Sequence, residues 1–279
     1  MDGFDPLEYK LNSRANWNAV AADYHYNWAS QHIGPFRSTV EVVKMAEIES
    51  SDKVLDMACG TGVVSKEASK HLGRDGLLVG LDLSRTALSI AKKSISAANA
   101  NFFEMDAENT AFHFKFDKVL CQYGVMFFPN AVSALEAARK NLSRTGKIVL
   151  AVHGRAEEVP YFSSIMRSVL KYIPNIRPKG APTVHRFGNP DDLKLELQRA
   201  GFVNISIKRS VFRYNAGTFD EYWKDYMRST ANAIRPKIES LGEGIVSAIK
   251  IESEQNASSY LKDGILEFPW TVLLASALP

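Results

Sequence analysis

The chain has 279 residues and a formal net charge of +3, with 46% apolar and 23% charged residues, which fits one large soluble α/β domain or a core with a smaller appendage. That charge is too small to imply nucleic acid by itself, no apolar run approaches the roughly 20 residues of a membrane span, and the start MDGFDPLEYK lacks the basic-then-apolar pattern of a signal sequence. Cys59 and Cys121 are the only cysteines, too few for a disulfide framework or a zinc spacing, so no metal is expected and a reduced, cytoplasmic setting is the default.

In chain order, residues 1–50 read mainly as helix, with aromatics at Trp17, Tyr24, Tyr26 and Trp28, and form an N-terminal cap. From residue 51 to 154, short apolar runs alternate with helical patterns. The predicted strands are KVLDMA (53–58), GLLVGLDL (76–83), ANFFEMD (100–106), DKVLCQYG (117–124) and GKIVLAVHG (146–154). Between them lie TGVVSKEASKHLG, SRTALSIAKKSISAA and AVSALEAARKNLSRTG, the last expected to end with Gly146 in the C-cap position. Such alternation predicts a parallel sheet with helices on both faces, and right-handed crossovers then predict a doubly wound, Rossmann-like topology. Residues 155–216 supply a substrate-side insertion, the capped helix NPDDLKLELQRAGF and a strand over 203–214. A polar, helix-favouring stretch over 217–262 reads as a lid, and GILEFPWTVLLASA within 263–279 reads as a closing strand of the core sheet.

The chemistry concentrates at three strand ends. The first strand runs into Asp56-Met57-Ala58-Cys59-Gly60-Thr61-Gly62, a glycine turn that presents backbone N–H groups to whatever lies beyond the strand. Asp82 ends the second strand, where an acid can hold both hydroxyls of a ribose. Asp106-Ala107 follows the third, placed for an exocyclic amine and a ring nitrogen of adenine. A dinucleotide fingerprint would need glycine at position 65, where the chain has Ser65, and has no use for an acid at the start of the turn. Asp56 makes sense beside a cation such as an amino acid's ammonium group. A nucleoside joined to an amino acid is S-adenosyl-L-methionine. Taken singly, an acid at a strand end is usually a turn or helix cap; three at successive strand ends carry the reading.

At this point the sequence resembles the class I S-adenosylmethionine-dependent methyltransferases, in the branch similar to the ubiquinone/menaquinone biosynthesis (type 11) methyltransferases. VLDMACGTG, GLDLS, MDAENTAF, CQYGVMFFPN and NLSRTGKIVLAVHG match in order across about residues 50–154. NWNAVAADYHYNW resembles the family's helix that folds over the cofactor, and FPWTVLLASA its closing strand. The middle, 155–262, matches only loosely. The resemblance implies a seven-stranded sheet with a reversed last strand. It also implies cofactor contacts at Asp56, Ala58, Gly60, Gly62, Asp82, Leu83, Asp106, Ala107 and Gln122, with Tyr24 as a wall of the cofactor pocket.

Methyl transfer from a sulfonium is an in-line displacement, in which holding the nucleophile close and dry can supply roughly 7–11 kcal/mol and a base helps if the nucleophile carries a proton. His153, directly after the fifth strand, is the first candidate base, against the plainer reading of a histidine that bonds the backbone at a strand end. Tyr24 and His25 follow, then Tyr123, which could line the methyl site or simply pack. His185 ranks below these, and His32, His71 and His113 are read as surface or structural. Cys59 and Cys121, on strands expected to be neighbours, read as small buried hydrophobes.

The stretch over 167–186 carries five Lys or Arg and no acid. It reads either as a face for an anionic small molecule or lipid headgroup, or as a solvated loop. It lacks the basic-aromatic interleaving of a nucleic-acid groove. Lid aromatics Phe219, Tyr222, Trp223 and Tyr226 fall at helical spacing, which by default means packing but could also wall an aromatic acceptor. The partner expected is a small-molecule methyl acceptor, anionic or aromatic in character. The alternatives are a cofactor-binding sensor or partner subunit without methyl transfer, and an RNA or protein methyltransferase. Whether the lid packs on its own core or on a second subunit, making an oligomer, is left open by the sequence.

Overall fold

Strand β1 (Lys53–Met57) is buried at every position after Lys53, because it lies between two parallel neighbours with helices over both faces. The computed structural model describes residues 4–279; the first three residues of the N-terminal cap expected over 1–50 lie outside the described residues. Helix α1 (Pro6–Asn27) starts with Asp5 accepting from the amides of Leu7 and Glu8, an N-cap followed by proline at the first helical position. After two short 3₁₀ turns, α2 (Ser38–Ala46) leads into β1. Then come α3 (Val63–Ser69), β2 (Leu77–Asp82), α4 (Arg85–Ser94), β3 (Ala100–Glu104), β4 (Phe116–Gln122), α5 (Ala131–Asn141) and β5 (Leu142–His153).

The second half adds α6 (Pro160–Tyr172), α7 (Pro190–Arg199), β6 (Val203–Asn215), α8 (Phe219–Asp225), α9 (Arg235–Glu239) and α10 (Glu243–Ala257). Helix α8 continues directly into a π-helical turn, Tyr226–Thr230. The two-residue β7 (Leu261–Lys262) pairs only with β8 (Ile265–Leu278). The sheet order is β3-β2-β1-β4-β5-β8-β6. Strands β1 to β5 pair in parallel, and β8 runs antiparallel to both β5 and β6. The doubly wound sheet with a reversed last strand is therefore as the motifs implied, and helices α8 to α10 interrupt the chain between β6 and β8. No helix among the described residues is long and apolar enough to cross a membrane.

One boundary differs from expectation. Helix α5 ends at Asn141, and Gly146 lies inside β5 rather than capping the helix. Leu142 already pairs with Phe116 of β4, and the register shifts before Lys118 meets Lys147. A Cβ on Gly146 would come within 2.8 Å of Leu142 and 3.1 Å of the Asp117 carbonyl, so this glycine serves a close backbone approach at an irregularity between strands. Asn141, fully hydrogen-bonded to Thr110, Ala137 and Phe112, closes the helix instead.

Candidate active site

The carboxyl ends of β1, β2, β3 and β4 open on one cavity. Asp56, Ala58, Gly60, Asp82, Leu83, Asp106, Ala107 and Gln122 line it, and Tyr24 reaches it from α1. The left-handed backbone of Ala58 and Gly60, with φ of 53° and 55°, turns the chain sharply after β1. A Cβ placed on Gly60 would meet no atom within 4 Å, so its glycine leaves open a space that a ligand could fill. Gly62 plays a different part from the one implied. It does not line the cavity: its φ is 83°, and a Cβ there would sit 2.9 Å from Ala91, so it lets α4 close on the start of α3.

Asp56 is 1% exposed. Its Oδ2 accepts from Ser65 Oγ at 2.6 Å, whereas Oδ1 is buried without a partner among the described residues. Burial, with the nearby Asp82 charge adding to it, pushes its pKa up to about 7. A buried carboxylate oxygen with no donor is costly, and an ammonium group is the partner that would relieve it. Ser65, which excluded the dinucleotide fingerprint, is thus the donor that orients the acid.

Asp82 Oδ2 accepts from the Gly60 amide at 2.9 Å and Oδ1 from the Ser84 amide at 2.8 Å. Burial raises its pKa, and these backbone donors oppose the rise. Each oxygen keeps a second lone pair, so the carboxylate is fixed and can still receive two hydroxyls. Asp106 Oδ1 accepts from the Glu108 amide at 3.0 Å, while Oδ2 receives Lys10 Nζ at 2.7 Å. The residues present therefore fit S-adenosylmethionine: an orphaned oxygen for its ammonium, a held carboxylate for its ribose, an acid and a small residue for its adenine, and a glycine turn between them.

Helix α1 lies across this cavity and is fastened to its acids. Lys10 bridges Asp106 and Glu108, Arg14 reaches Glu104 at 3.2 Å, and Asn18 Oδ1 accepts from Ser84 Oγ at 2.9 Å. Lys10, Arg14 and Asn18 are spaced by four residues and so share one face of α1. The spacing was visible in the sequence, but its acidic complement over 104–108 becomes a partner only through the fold. His25 is spent on Thr61 Oγ1 at 2.9 Å and lines neither cavity described here.

A second cavity of about 820 Å³ adjoins the first, within the roughly 300–1,000 Å³ usual for small-ligand sites. Trp17, Tyr24, Phe36, Tyr123 and Phe127 are among the residues that line both. The far walls come from α6, the loop before α7 and the π turn. Arg167, Arg177 and Lys237 are its cationic lining and Glu157 its acid. None of the three cations has a carboxylate partner among the described residues. Arg177 lines this cavity together with Tyr9 of α1, His185 and Tyr226 of the π turn.

The three candidate catalytic side chains, Tyr24, Tyr123 and His153, are brought to this junction. Tyr123 donates its hydroxyl to the Pro35 carbonyl at 2.8 Å and lies 2.8 Å from Ser38 Oγ; burial raises its pKa well above the phenol range. It is held as a wall. Gln122 is tied to the same helix start, with Nε2 on Ser38 Oγ and Oε1 receiving Thr39 Oγ1. Tyr24 packs edge-on to Trp17 and Phe36, and burial raises its pKa as well. His153 is 6% exposed and stacks on Tyr123 at 4.3 Å. Its Nδ1 lies 3.0 Å from Trp270 Nε1, and an indole nitrogen can only donate. His153 is therefore held neutral with its proton on Nε2, and burial pushes its pKa well below the usual value. This pairing was not legible in the sequence, because Trp270 arrives on β8 from 117 residues away.

The remaining expectations separate. Cys59 and Cys121 are free and buried but belong to different apolar clusters, so they remain small hydrophobes. Of the lid aromatics, Phe219 and Tyr222 pack against the core, whereas Tyr226 lines the second cavity.

Residues 54–146 match the methyltransferase domain family. A demethylmenaquinone methyltransferase of Staphylococcus carnosus is 24% identical over 204 residues, covering 68% of this chain and 80% of the relative. The fold is shared with a phosphoethanolamine N-methyltransferase of Haemonchus contortus solved with phosphomonomethylethanolamine and S-adenosylhomocysteine (TM-score 0.60, 13% identity, 96% of this chain and 59% of that one). It is also shared with a cyclopropane synthase of Mycobacterium tuberculosis (TM-score 0.58, 13% identity, 96% and 98%). The domain match runs from β1 into the start of β5, with the acids in place at three strand ends: residues 54–146 carry a methyltransferase domain, and the chain is similar to the class I S-adenosylmethionine-dependent methyltransferases of the menaquinone branch.

Proposed function

We propose that the chain moves the methyl group of S-adenosylmethionine to a small aromatic acceptor that carries an anionic group. The observation that carries this reading is the pair of cavities meeting at Tyr24, Trp17 and Tyr123: one ringed by Asp56, Asp82 and Asp106, the other largely apolar with Arg177 in its wall. The cofactor supplies an already activated methyl carbon. The protein's part is to hold the acceptor in line and exclude water, which needs no covalent protein intermediate.

In this reading Asp56 receives the ammonium, Asp82 the ribose hydroxyls, and Asp106 with Ala107 the adenine, while Gly60 admits the cofactor's chain. Tyr24 and Tyr123 wall the transfer path. Residues 1–50 cap the cofactor, 51–154 and 263–279 form the core, 155–216 shape the acceptor side, and 217–262 cover it. The staphylococcal relative is named for a quinone acceptor, whereas the cations in the second cavity favour an acceptor with a negative charge. A cytoplasmic setting, with both cysteines reduced, belongs to the same reading.

Calorimetric titration with S-adenosylmethionine, on wild type and Asp82→Ala, tests the cofactor half. Micromolar binding, weakened at least tenfold by the substitution, is expected; no binding by folded wild type would overturn it. S-adenosylhomocysteine release in the presence of aromatic carboxylates, against their neutral amides, tests the acceptor half.

A further inference from the structure

Two histidines face the acceptor cavity, and the structure fixes them in opposite tautomers. His153 Nδ1 accepts from Trp270 Nε1, which leaves the proton on Nε2. That atom has no partner among the described residues, and the residue lines the cavity. His185 is the reverse case. Its Nδ1 lies 2.8 Å from the Gly154 carbonyl, and a carbonyl can only accept, so Nδ1 carries the proton and the Nε2 lone pair is left for the cavity it lines. Both rings pack on Phe162, with centroids at 5.2 and 5.8 Å.

The loop carrying His185 is seated firmly on the end of β5. A Cβ on Gly188 would fall 2.5 Å from the Gly154 backbone, the Gly188 amide donates to the His185 carbonyl at 2.9 Å, and the Gly154 amide donates to Thr271 at 2.9 Å. The charged groups facing His185 are Arg177, which disfavours its cation, and Glu157, which favours it; His153 lies beyond Phe162, and its own cation is disfavoured by His185. Arg186 turns away, to the Phe128 carbonyl and Glu196. Burial lowers the pKa of His185, and the Gly154 bond partly restores it. It is thus neutral at pH 7 and still able to take a proton, whereas His153 cannot become a cation without losing its bond to Trp270.

We propose that His185, not His153, is the proton acceptor of the acceptor cavity, and that His153 is a fixed N–H donor that holds an oxygen of the acceptor. This rests on the methyltransferase reading above and narrows its substrate class to a conjugated acceptor bearing an ionisable hydroxyl and a second oxygen. The hydroxyl O–H bond breaks and an N–H bond forms at His185 Nε2, giving imidazolium. The acceptor keeps the electron pair. Its nucleophilic atom then bonds the methyl carbon as the carbon–sulfur bond breaks, the sulfur keeping that pair, and His185 afterwards returns its proton to water. A neutral N–H donor beside a developing oxyanion is worth more than a base there, because it needs no reorganisation during the reaction.

The test begins with nitrogen NMR of the histidine-labelled full chain, with S-adenosylhomocysteine binding measured on the same samples so that a failure of the cofactor reading is seen separately. The expected spectrum has His153 protonated on Nε2 and unchanged between about pH 5 and pH 8, with His185 protonated on Nδ1 and titrating below its ordinary value. Trp270→Phe should release the His153 tautomer. The reverse tautomer at either ring, or a His153 that titrates in wild type, would overturn the proposal. The optical probe is 4-nitrophenol, whose phenolate is yellow. Its ratio of ionised to neutral form when bound should rise about tenfold over that in buffer, equivalent to roughly 1.4 kcal/mol. His185→Gln should abolish that rise, and His153→Gln should weaken binding severalfold while leaving it. A bound probe that ionises as in buffer, a rise that survives His185→Gln, unchanged affinity in His153→Gln, or no binding of the probe would each sink the assignment.

Discussion

Asp56 carries a cost that a bound ammonium group would remove, and Asp56→Asn exposes it. In the folded chain its pKa is up from 3.8 to about 7. Between those values the native state holds a proton that the unfolded state has lost, so unfolding releases it and stability falls as pH rises through that window. At roughly 1.4 kcal/mol per pH unit, the full effect is on the order of 4 kcal/mol. Asparagine keeps an oxygen for Ser65 and places an uncharged amide where Oδ1 is orphaned. The variant should therefore lack this slope. Urea unfolding without cofactor, at pH 5 and pH 8, should show wild type losing stability relative to Asp56→Asn by about 2–4 kcal/mol. Cofactor binding should go the other way, weakened in the variant by at least tenfold, or about 1.4 kcal/mol. In wild type near pH 6, binding should release up to about one proton, because an ammonium partner favours the carboxylate; calorimetry in buffers of different ionisation enthalpy reads that number. Unfolding curves that stay parallel between the two proteins across this range would refute the account of a buried, unpartnered acid.

Three further outcomes follow from other parts of the site. Gly60→Ala should fold with a loss of roughly 1–2 kcal/mol for its left-handed backbone, because its Cβ meets nothing in the protein, yet bind S-adenosylmethionine at least tenfold more weakly; normal affinity by calorimetry would show that the open space is not cofactor space. Lys10→Met removes the bridge from α1 to Asp106 and Glu108, and stopped-flow should find cofactor entry and exit both faster by about fivefold, roughly 1 kcal/mol for a charge-assisted contact; unchanged rates would mean that α1 is not a latch. Arg177→Ala should weaken binding of 4-nitrobenzoate at least tenfold and leave nitrobenzene unaffected, since only the carboxylate needs the guanidinium; equal loss of both would make Arg177 a packing residue.

The cofactor side of this protein was legible because its determinants are local. An apolar run ending in Asp56, then two glycines, specifies a strand and its turn without reference to anything distant, and Asp82 and Asp106 repeat the position at the next strand ends. Local signals also misled where a distant backbone decided the outcome: Gly146 has the sequence context of a helix cap, yet the pairing of Leu142 with Phe116 draws it into β5. Gly62 belongs to the cofactor motif and is needed instead for the closure of α4 on α3.

The acceptor side resisted reading for a chemical reason. Methyl transfer asks the protein for position and dryness more than for a reactive side chain, so its selectivity resides in which groups face a cavity and which atom of each carries a proton. That information is divided among elements far apart in the chain. His153 stands at the end of β5, where a base would be placed, and becomes a donor only because the indole of Trp270 on β8 reaches its other nitrogen. His185 stands in a loop with no motif, and has a lone pair to offer only because the carbonyl of Gly154 accepts a hydrogen bond from its Nδ1–H. The residue that follows His153 thus sets the tautomer of His185, and the same strand end supplies both a donor and the anchor for an acceptor. A relative that kept both histidines but replaced Trp270 by a residue without an N–H would keep the pattern of the sequence and lose that division of roles.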